Sequence, residues 1–373
     1  MQATDFRSAI PFWISLTLVL VVILSGYLGG WWMLLTPSYA FWGLAVIDQF
    51  GGLNLENRKP DTPDDKLFWY RFITIIWFPI QFILIFGGIA FVSYSDHLQG
   101  SEKWWFMTCV GLITGSTGIV YAHELMHQKS KFERFLGDGL MALALYGHFR
   151  SEHLLVHHKY VGTPKDAVTA RYNEGFHRFF PRVLRQSLYS AWDAEKAMLA
   201  RKNLTALDFS NPFWKYAVLQ SLFILISIVI AGWLGAALFI VQAFIAILLL
   251  EATNYVEHYG LTRKHLGDGK YEHVLPRHSW NSAYKVTNYF LINLQRHSDH
   301  HYKTSRRYPL LQNYLENDAP QLPRAYAVMV AVAFCPPLWK KIMNPQVKAW
   351  RQQFYPDIDD WHAYNKALNP LPK

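Results

Sequence analysis

Four stretches of this chain carry no Asp, Glu, Lys or Arg: Ala9 to Ile47, Phe72 to Ser95, Trp104 to Ala122 and Tyr216 to Leu250. The hydrocarbon core of a bilayer takes about 20 apolar residues of helix, and only helices or closed barrels satisfy their backbone groups there. The first stretch is long enough for two spans divided near Gly29-Gly30, and the last for two divided near Gly232 to Gly235, because glycine reverses the chain without steric cost. The sequence therefore predicts an all-α integral membrane protein with six transmembrane helices and a cytoplasmic histidine-rich cap. Its 373 residues would suit two soluble domains by length alone, but charge-free runs of this length do not fit that architecture. The opening run exceeds the apolar region of a cleavable signal peptide and flows into a second span, so it is expected to stay as a membrane helix.

Charge sets the orientation, because basic residues flanking spans stay on the cytoplasmic side. With the amino terminus inside, the outer loops are the Gly29 turn, Asp96 to Lys103 and the Gly232 turn, which together hold one of the 36 Lys and Arg residues. Both termini are then cytoplasmic, and the net charge of +9 reflects this asymmetry and not nucleic-acid binding. A basic inner face also attracts an acidic protein partner. The expected division is spans one to four over residues 1–122, a cytoplasmic segment over 123–212, spans five and six over 213–257 and a C-terminal segment over 258–373, all acting as one functional domain. Two cysteines, Cys109 and Cys335, are too few for a disulfide framework or a four-thiolate metal site.

The two cytoplasmic segments hold 15 of the 16 histidines. HELMH places His123 and His127 one helical turn apart on one face, and EHLLVHH does the same for His153 and His157, with His158 beside them. His258 follows the sixth span within NYVEHYGL, and LQRHSDHH supplies His297, His300 and His301. Nine imidazoles, each partly charged near neutral pH at its ordinary pKa of about 6.5, repel one another unless something favours their neutral form. A transition metal does so. One tetrahedral zinc uses about four ligands, so nine point to two ions, and ligand type alone admits iron, copper or zinc. Glu124, Glu152, Glu257 and Asp299 adjoin these histidines. Sequence neighbours on a helix point about 100° apart, so the four acids are expected to accept from the far ring nitrogen of another ligand, or one of them to ligate a metal. HELMH also fits the zinc-protease pattern H-E-x-x-H, a reading that leaves seven of the nine histidines as bystanders.

The boxes His123-ELM-His127, His153-LLV-His157-His158 and His297-SD-His300-His301 resemble those of the histidine-rich integral-membrane oxygenases and desaturases. NYVEHYGL and LQRHSDHH look like the signatures of the bacterial alkane 1-monooxygenases, and HSWNS (His278 to Ser282), GTPKDAVTAR (Gly162 to Arg171) and DAPQLPRAYA (Asp318 to Ala327) resemble segments of the same family. The likeness runs from the third span to Pro345. Met126 stands where that family often has a smaller residue, Leu154, Leu155 and Val156 make the second box more apolar, and the first two spans match loosely.

The resemblance implies a non-haem di-iron centre held by His123, His127, His153, His157, His158, His258, His297, His300 and His301, using O2 to hydroxylate the terminal methyl of a medium- or long-chain alkane in the bacterial inner membrane. It also implies a separate electron donor. A rubredoxin or ferredoxin, with its NAD(P)H-dependent reductase, is expected to dock on the basic face, because this chain lacks the four thiolates of a rubredoxin domain. Phe41, Trp42, Trp77 and Phe82 are candidates for the walls of the alkane channel. The alternatives are a xylene-type aromatic methyl hydroxylase, a fatty acyl desaturase and a metal transporter, the last disfavoured because the spans are nearly free of ligands and acids.

Overall fold

The computed structural model describes residues 6–366. Four of its helices are long and apolar enough to cross a membrane: Phe6–Leu28, Asp64–Tyr94, Glu102–Met126 and the 47-residue Pro212–His258. The only strands among the described residues are His265–Gly267 and Lys270–Tyr271, an antiparallel pair. They are joined by Asp268 and Gly269, both at positive φ, the conformation that a two-residue hairpin turn demands.

The chain turns where glycine permits it. Gly29, at φ 65°, ends Phe6–Leu28, and the helical run over 30–51 that follows folds back along it, with Ser25 Oγ 2.9 Å from Thr36 Oγ1 and Thr17 Oγ1 2.7 Å from Tyr39 OH. This run alternates 3-10, α and π turns. In Pro212–His258 the break falls at Ala231 and Gly232, the latter at φ 59°. A Cβ on Gly235 would run into the carbonyl oxygen of Ser227, a pair that a straight helix keeps about 12 Å apart. Residues 212–230 and 233–258 are therefore two arms of a helical hairpin.

Small residues bring the second arm against Glu102–Met126. A Cβ on Gly111 would meet Gln242 O at 2.7 Å, and one on Gly115 would meet Ala246 O at 2.8 Å. With no solvent to drive association in lipid, such close backbone approach supplies the packing. The first arm instead meets Asp64–Tyr94, where Phe223 packs on Phe82 and Phe86.

Buried ion pairs fasten the remaining segments to one end of these helices. Glu133, fully buried on the helix Lys131–Leu143, takes Arg71 at 3.0 Å and Arg307 at 3.1 Å, and Arg307 also holds Asp64 at 2.9 Å. Asp48 accepts Val286 N, Thr287 N and Thr287 Oγ1, which caps the helix Lys285–Phe290 and ties it to the run over 30–51. A second apolar core, built on Phe176, Tyr255, Tyr259, Trp339 and Trp350, joins the end of the second arm to the helices Phe176–Ala200 and Pro336–Phe354.

Gly111→Val is expected to force the second arm away from Glu102–Met126 at a cost of about 1–3 kcal/mol, the usual range for overpacking. Thermal unfolding in detergent would show a lowered midpoint, and an unchanged one would mean that the contact is slack.

Candidate metal centre

Each histidine is placed by a helix end. His123 lies in the last turn of Glu102–Met126 and His127 caps it. His258 ends the second arm of Pro212–His258, and His297, His300 and His301 share the short buried helix His297–Tyr302. His153 to His157 form a π-helical turn inside the helical stretch over 149–160.

That π turn alters the geometry expected of EHLLVHH. In an α-helix His153 and His157 would share a face. With the wider turn it is His153 and His158 that come together, Nε2 to Nε2 at 2.9 Å, while His157 swings to the other side and meets His301 at 3.2 Å. The nine rings consequently fall into two adjoining groups. In the first, His153 Nε2 lies 2.9 Å from His123 Nε2 and 3.0 Å from His127 Nε2, His158 Nε2 lies 3.2 Å from His127 Nε2, and the His300 ring packs against His123 and His127. In the second, His297 Nε2 lies 3.1 Å from His258 Nε2 and 3.0 Å from His301 Nε2, and His157 completes the set.

Hydrogen bonding does not account for these contacts. His153 Nε2 faces three other Nε2 atoms at about 3 Å, and a neutral imidazole carries one N–H to share among them. The remaining lone pairs point at one another. Ligands about 2.0–2.1 Å from a tetrahedral ion sit about 3.3–3.4 Å apart, so the spacing suits nitrogens around a cation. Burial, and then the neighbouring rings, lower the pKa of His127 and His297 to about 3 and hold His153, His158, His300 and His301 well below the ordinary value. Neutral imidazole is the form that binds metal.

The four neighbouring acids part company. Glu257 stands among the nitrogens, with Oε2 3.3 Å from His297 Nε2 and Oε1 accepting Tyr326 OH at 2.9 Å, so it is placed to ligate. Glu152 is fully buried with neither carboxyl oxygen bonded, and burial followed by Asp166 and Glu251 raises its pKa well above the carboxylate range. Glu124 and Asp299 hold no ligand histidine. Glu124 accepts Gln128 Nε2 and Tyr308 N, while Asp299 accepts Arg306, Gln312 N and Tyr314 OH, so both brace the loop that follows His301.

The support that the sequence did not single out comes from the family-like segments outside the boxes. Asp166, in GTPKDAVTAR, accepts His157 Nδ1 at 3.0 Å and is itself held by Thr169 Oγ1 at 2.6 Å and Val168 N at 3.0 Å. Asn281, in HSWNS, binds Ser298 N at 2.9 Å and Ser298 Oγ at 2.6 Å, which fixes the start of His297–Tyr302. Tyr326, in DAPQLPRAYA, positions Glu257. The signal was a cluster of polar residues in segments with no ligand of their own.

An apolar cavity of about 610 Å³ opens between the run over 30–51, Glu102–Met126, the second arm and the helix Tyr326–Ala333, with Phe41, Leu44, Leu112, Gly115, Phe290 and Val330 among its lining. It shares Gly115, Val120, Thr253 and Leu294 with a smaller cavity of about 380 Å³ that reaches His123, His153, Glu257 and His297. Phe41 thus lies on the approach. Trp42, Trp77 and Phe82 are not among the residues that line these cavities. Trp42 is 59% exposed on the outer surface, Trp77 is buried and stacked on Tyr121 at 4.9 Å, and Phe82 belongs to the aromatic contact with the first arm.

Residues 102–333 match the fatty acid desaturase family, and the relatives are more specific. An alkane 1-monooxygenase of Pseudomonas aeruginosa is 37% identical over 91% of this chain and 92% of its own, and one of Acinetobacter baylyi is 39% identical over 82% of this chain and 74% of its own. The chain belongs to the alkane 1-monooxygenase family. It is also 27% identical to the xylene/toluene monooxygenase hydroxylase component of Pseudomonas putida, over 88% of this chain and 86% of that protein. Both rivals on the enzyme side thus fall among the family's own kin.

For this member of the alkane 1-monooxygenases, His258→Ala is expected to lower the metal bound per chain, since it removes one of four imidazoles from the second group. Asp166→Asn keeps all nine rings and is expected to weaken retention in that group about 10–100-fold, the usual effect of losing an orienting carboxylate. Elemental analysis after dialysis against a chelator measures both, and full retention in the two variants would separate these residues from any metal site.

Proposed function

We propose that this protein is a di-iron alkane 1-monooxygenase of the bacterial inner membrane that converts the terminal methyl of medium- or long-chain n-alkanes to a primary alcohol. Its fold is read as six spans, the run over 30–51 and the two arms of the hairpin being counted separately, with both termini in the cytoplasm. The observation that carries the reading is that the apolar cavity leads, through the smaller one it adjoins, to His123, His153 and His297 of a cluster of nine converging imidazoles.

His123, His127, His153, His158 and His300 would hold one iron, and His157, His258, His297 and His301 the other, with Glu257 beside the second. Bound there, the irons would supply activation of O2 and cleavage of an unactivated C–H bond; the chain supplies position and exclusion. An alkane partitions into lipid and enters between the run over 30–51 and Tyr326–Ala333, where the cavity walls are apolar. It advances end-on past Val120 and Leu294, the two residues shared by the outer cavity, the chamber at His123 and His153, and a third pocket of about 250 Å³ against His123, His300 and Tyr308. Leu294 is set there by a strained turn, since Ile292 and Asn293 both take positive φ, a conformation that a β-branched residue seldom adopts. Asn288, whose carbonyl receives Asn293 N at 2.7 Å, and the bond from Asn293 Nδ2 to Tyr308 O hold that turn closed. Strain kept at such a point is characteristic of a functional site.

Electrons come from outside the chain. Two cysteines, one buried and one exposed, supply no iron–sulfur site, so a rubredoxin or ferredoxin with an NAD(P)H-dependent reductase is the proposed donor.

Membranes supplied with a rubredoxin, its reductase, NADH and n-alkanes of graded length are expected to yield 1-alcohols by gas chromatography. Alkenes would point to a desaturase, and turnover of p-xylene alone to a xylene-type hydroxylase. With Leu294→Ala the constriction widens, and a subterminal alcohol should rise several-fold in share while total oxidation persists; an unaltered product ratio would show that Leu294 does not set the depth of entry.

A further inference from the structure

A separate cavity of about 640 Å³ lies apart from the apolar route and shares no lining residue with it. Arg171, Arg182, Arg263 and Arg351 line it, and Asp166 is the one carboxylate among the lining residues.

The charges there do not balance. Asp166 is engaged by His157, Thr169 and Val168, and Arg182 is paired with Glu174 at 2.8 Å. Arg263, 8% exposed, bonds only to main-chain carbonyls, those of Glu272, Lys159 and Val161. Arg351, 7% exposed, bonds to the side-chain amide oxygen of Asn365 and lies 4.5 Å from the Tyr172 ring and 4.3 Å from that of Trp361. Its Nε is buried with no hydrogen-bond partner among the described residues. Two buried guanidinium groups in one cavity, with no carboxylate among the described residues bonded to either, is an arrangement that proteins avoid, because a buried charge is costly until an opposite charge meets it.

We infer that this cavity is a binding site for a small oxyanion, a phosphate or a carboxylate, held between Arg351, Arg263 and Arg171. Guanidinium presents parallel N–H donors matched to either anion, and Thr262 and Thr163 add hydroxyl groups to the lining. Asp166 forms part of the same wall and holds His157, so the anion would stand one residue removed from the second imidazole group.

The full-length, metal-loaded protein in detergent is titrated with inorganic phosphate and, separately, with malonate, each against sodium chloride of equal ionic strength, by calorimetry and thermal unfolding. Saturable binding of at least one anion is expected, with a rise in melting temperature that chloride does not give; which anion responds tells phosphate from carboxylate. Losing a charge-assisted hydrogen bond should weaken binding about tenfold or more in Arg351→Gln. Arg171→Gln, at the half-buried edge, guards against a folding defect and should also weaken binding by about threefold or more. No saturable binding to the unaltered protein, or equal affinity in both variants, overturns the proposal.

Discussion

The rest of this structure depends on the mutual repulsion of imidazole lone pairs. One ring nitrogen, His153 Nε2, meets three others at about hydrogen-bond distance while it has at most one proton to offer. Such a cluster is unfavourable on its own and favourable around cations, so metal binding and the ordering of the segments that carry these rings would belong to one equilibrium. The surroundings make sense in that light. Asn281 clamps Ser298, Arg296 sends its guanidinium to the carbonyls of Asn54, Glu56 and Leu311, and Arg307 bridges Asp64 and Glu133. Each contact presses a segment distant in sequence against the rings and resists their separation.

The two sides of the cluster differ in chemistry. One is reached through apolar walls and the other abuts a cavity rich in arginine, a division suited to a substrate that arrives from lipid and to charged reactants that arrive from water. Glu257 lies on the apolar side, between Tyr326 and His297. Glu152, buried and without a partner, is kept neutral by the same burial that keeps the imidazoles neutral, because low dielectric disfavours the charged form of acid and base alike. The site therefore approaches electroneutrality before any ion is counted.

Much of this was legible in the residues. Charge-free runs gave the long helices, and the glycines at 29 and 232 marked the reversals that occur there. Eight of the nine histidines announced themselves by spacing, and His258 by the likeness of NYVEHYGL to the family's signature. What stayed hidden belongs to tertiary contact. Asp166 is nine residues from His157, and nothing local to GTPKDAVTAR says that the loop returns to that ring. Asp299 looked as well placed as Glu257, yet arginine on the following loop claims it. Trp77 and Phe82 were drawn to the channel by composition, which does not tell which side of an apolar helix faces the cavity and which faces a neighbour.

The division of His153 from His157 went unread for a different reason: helical spacing presumes 3.6 residues per turn, and the chain departs from it where function is densest. Its three π-helical segments, Ser38–Gly43, Thr114–Gly118 and His153–His157, all touch the site. The first supplies Phe41 to the cavity, the second Gly115 and Ser116, and the third two ligands to different groups. A π turn adds one residue to the circuit and so rotates everything beyond it by about 100° relative to an α-helix. Upstream of Thr114–Gly118 the helix must present Gly111 to the second arm, and downstream it must present His123 to the other imidazoles. A regular helix fixes the angle between those two faces by sequence separation alone, whereas the inserted residue frees it. The same device in His153–His157 pairs His153 with His158 in place of His157 and leaves His157 to the neighbouring group of rings.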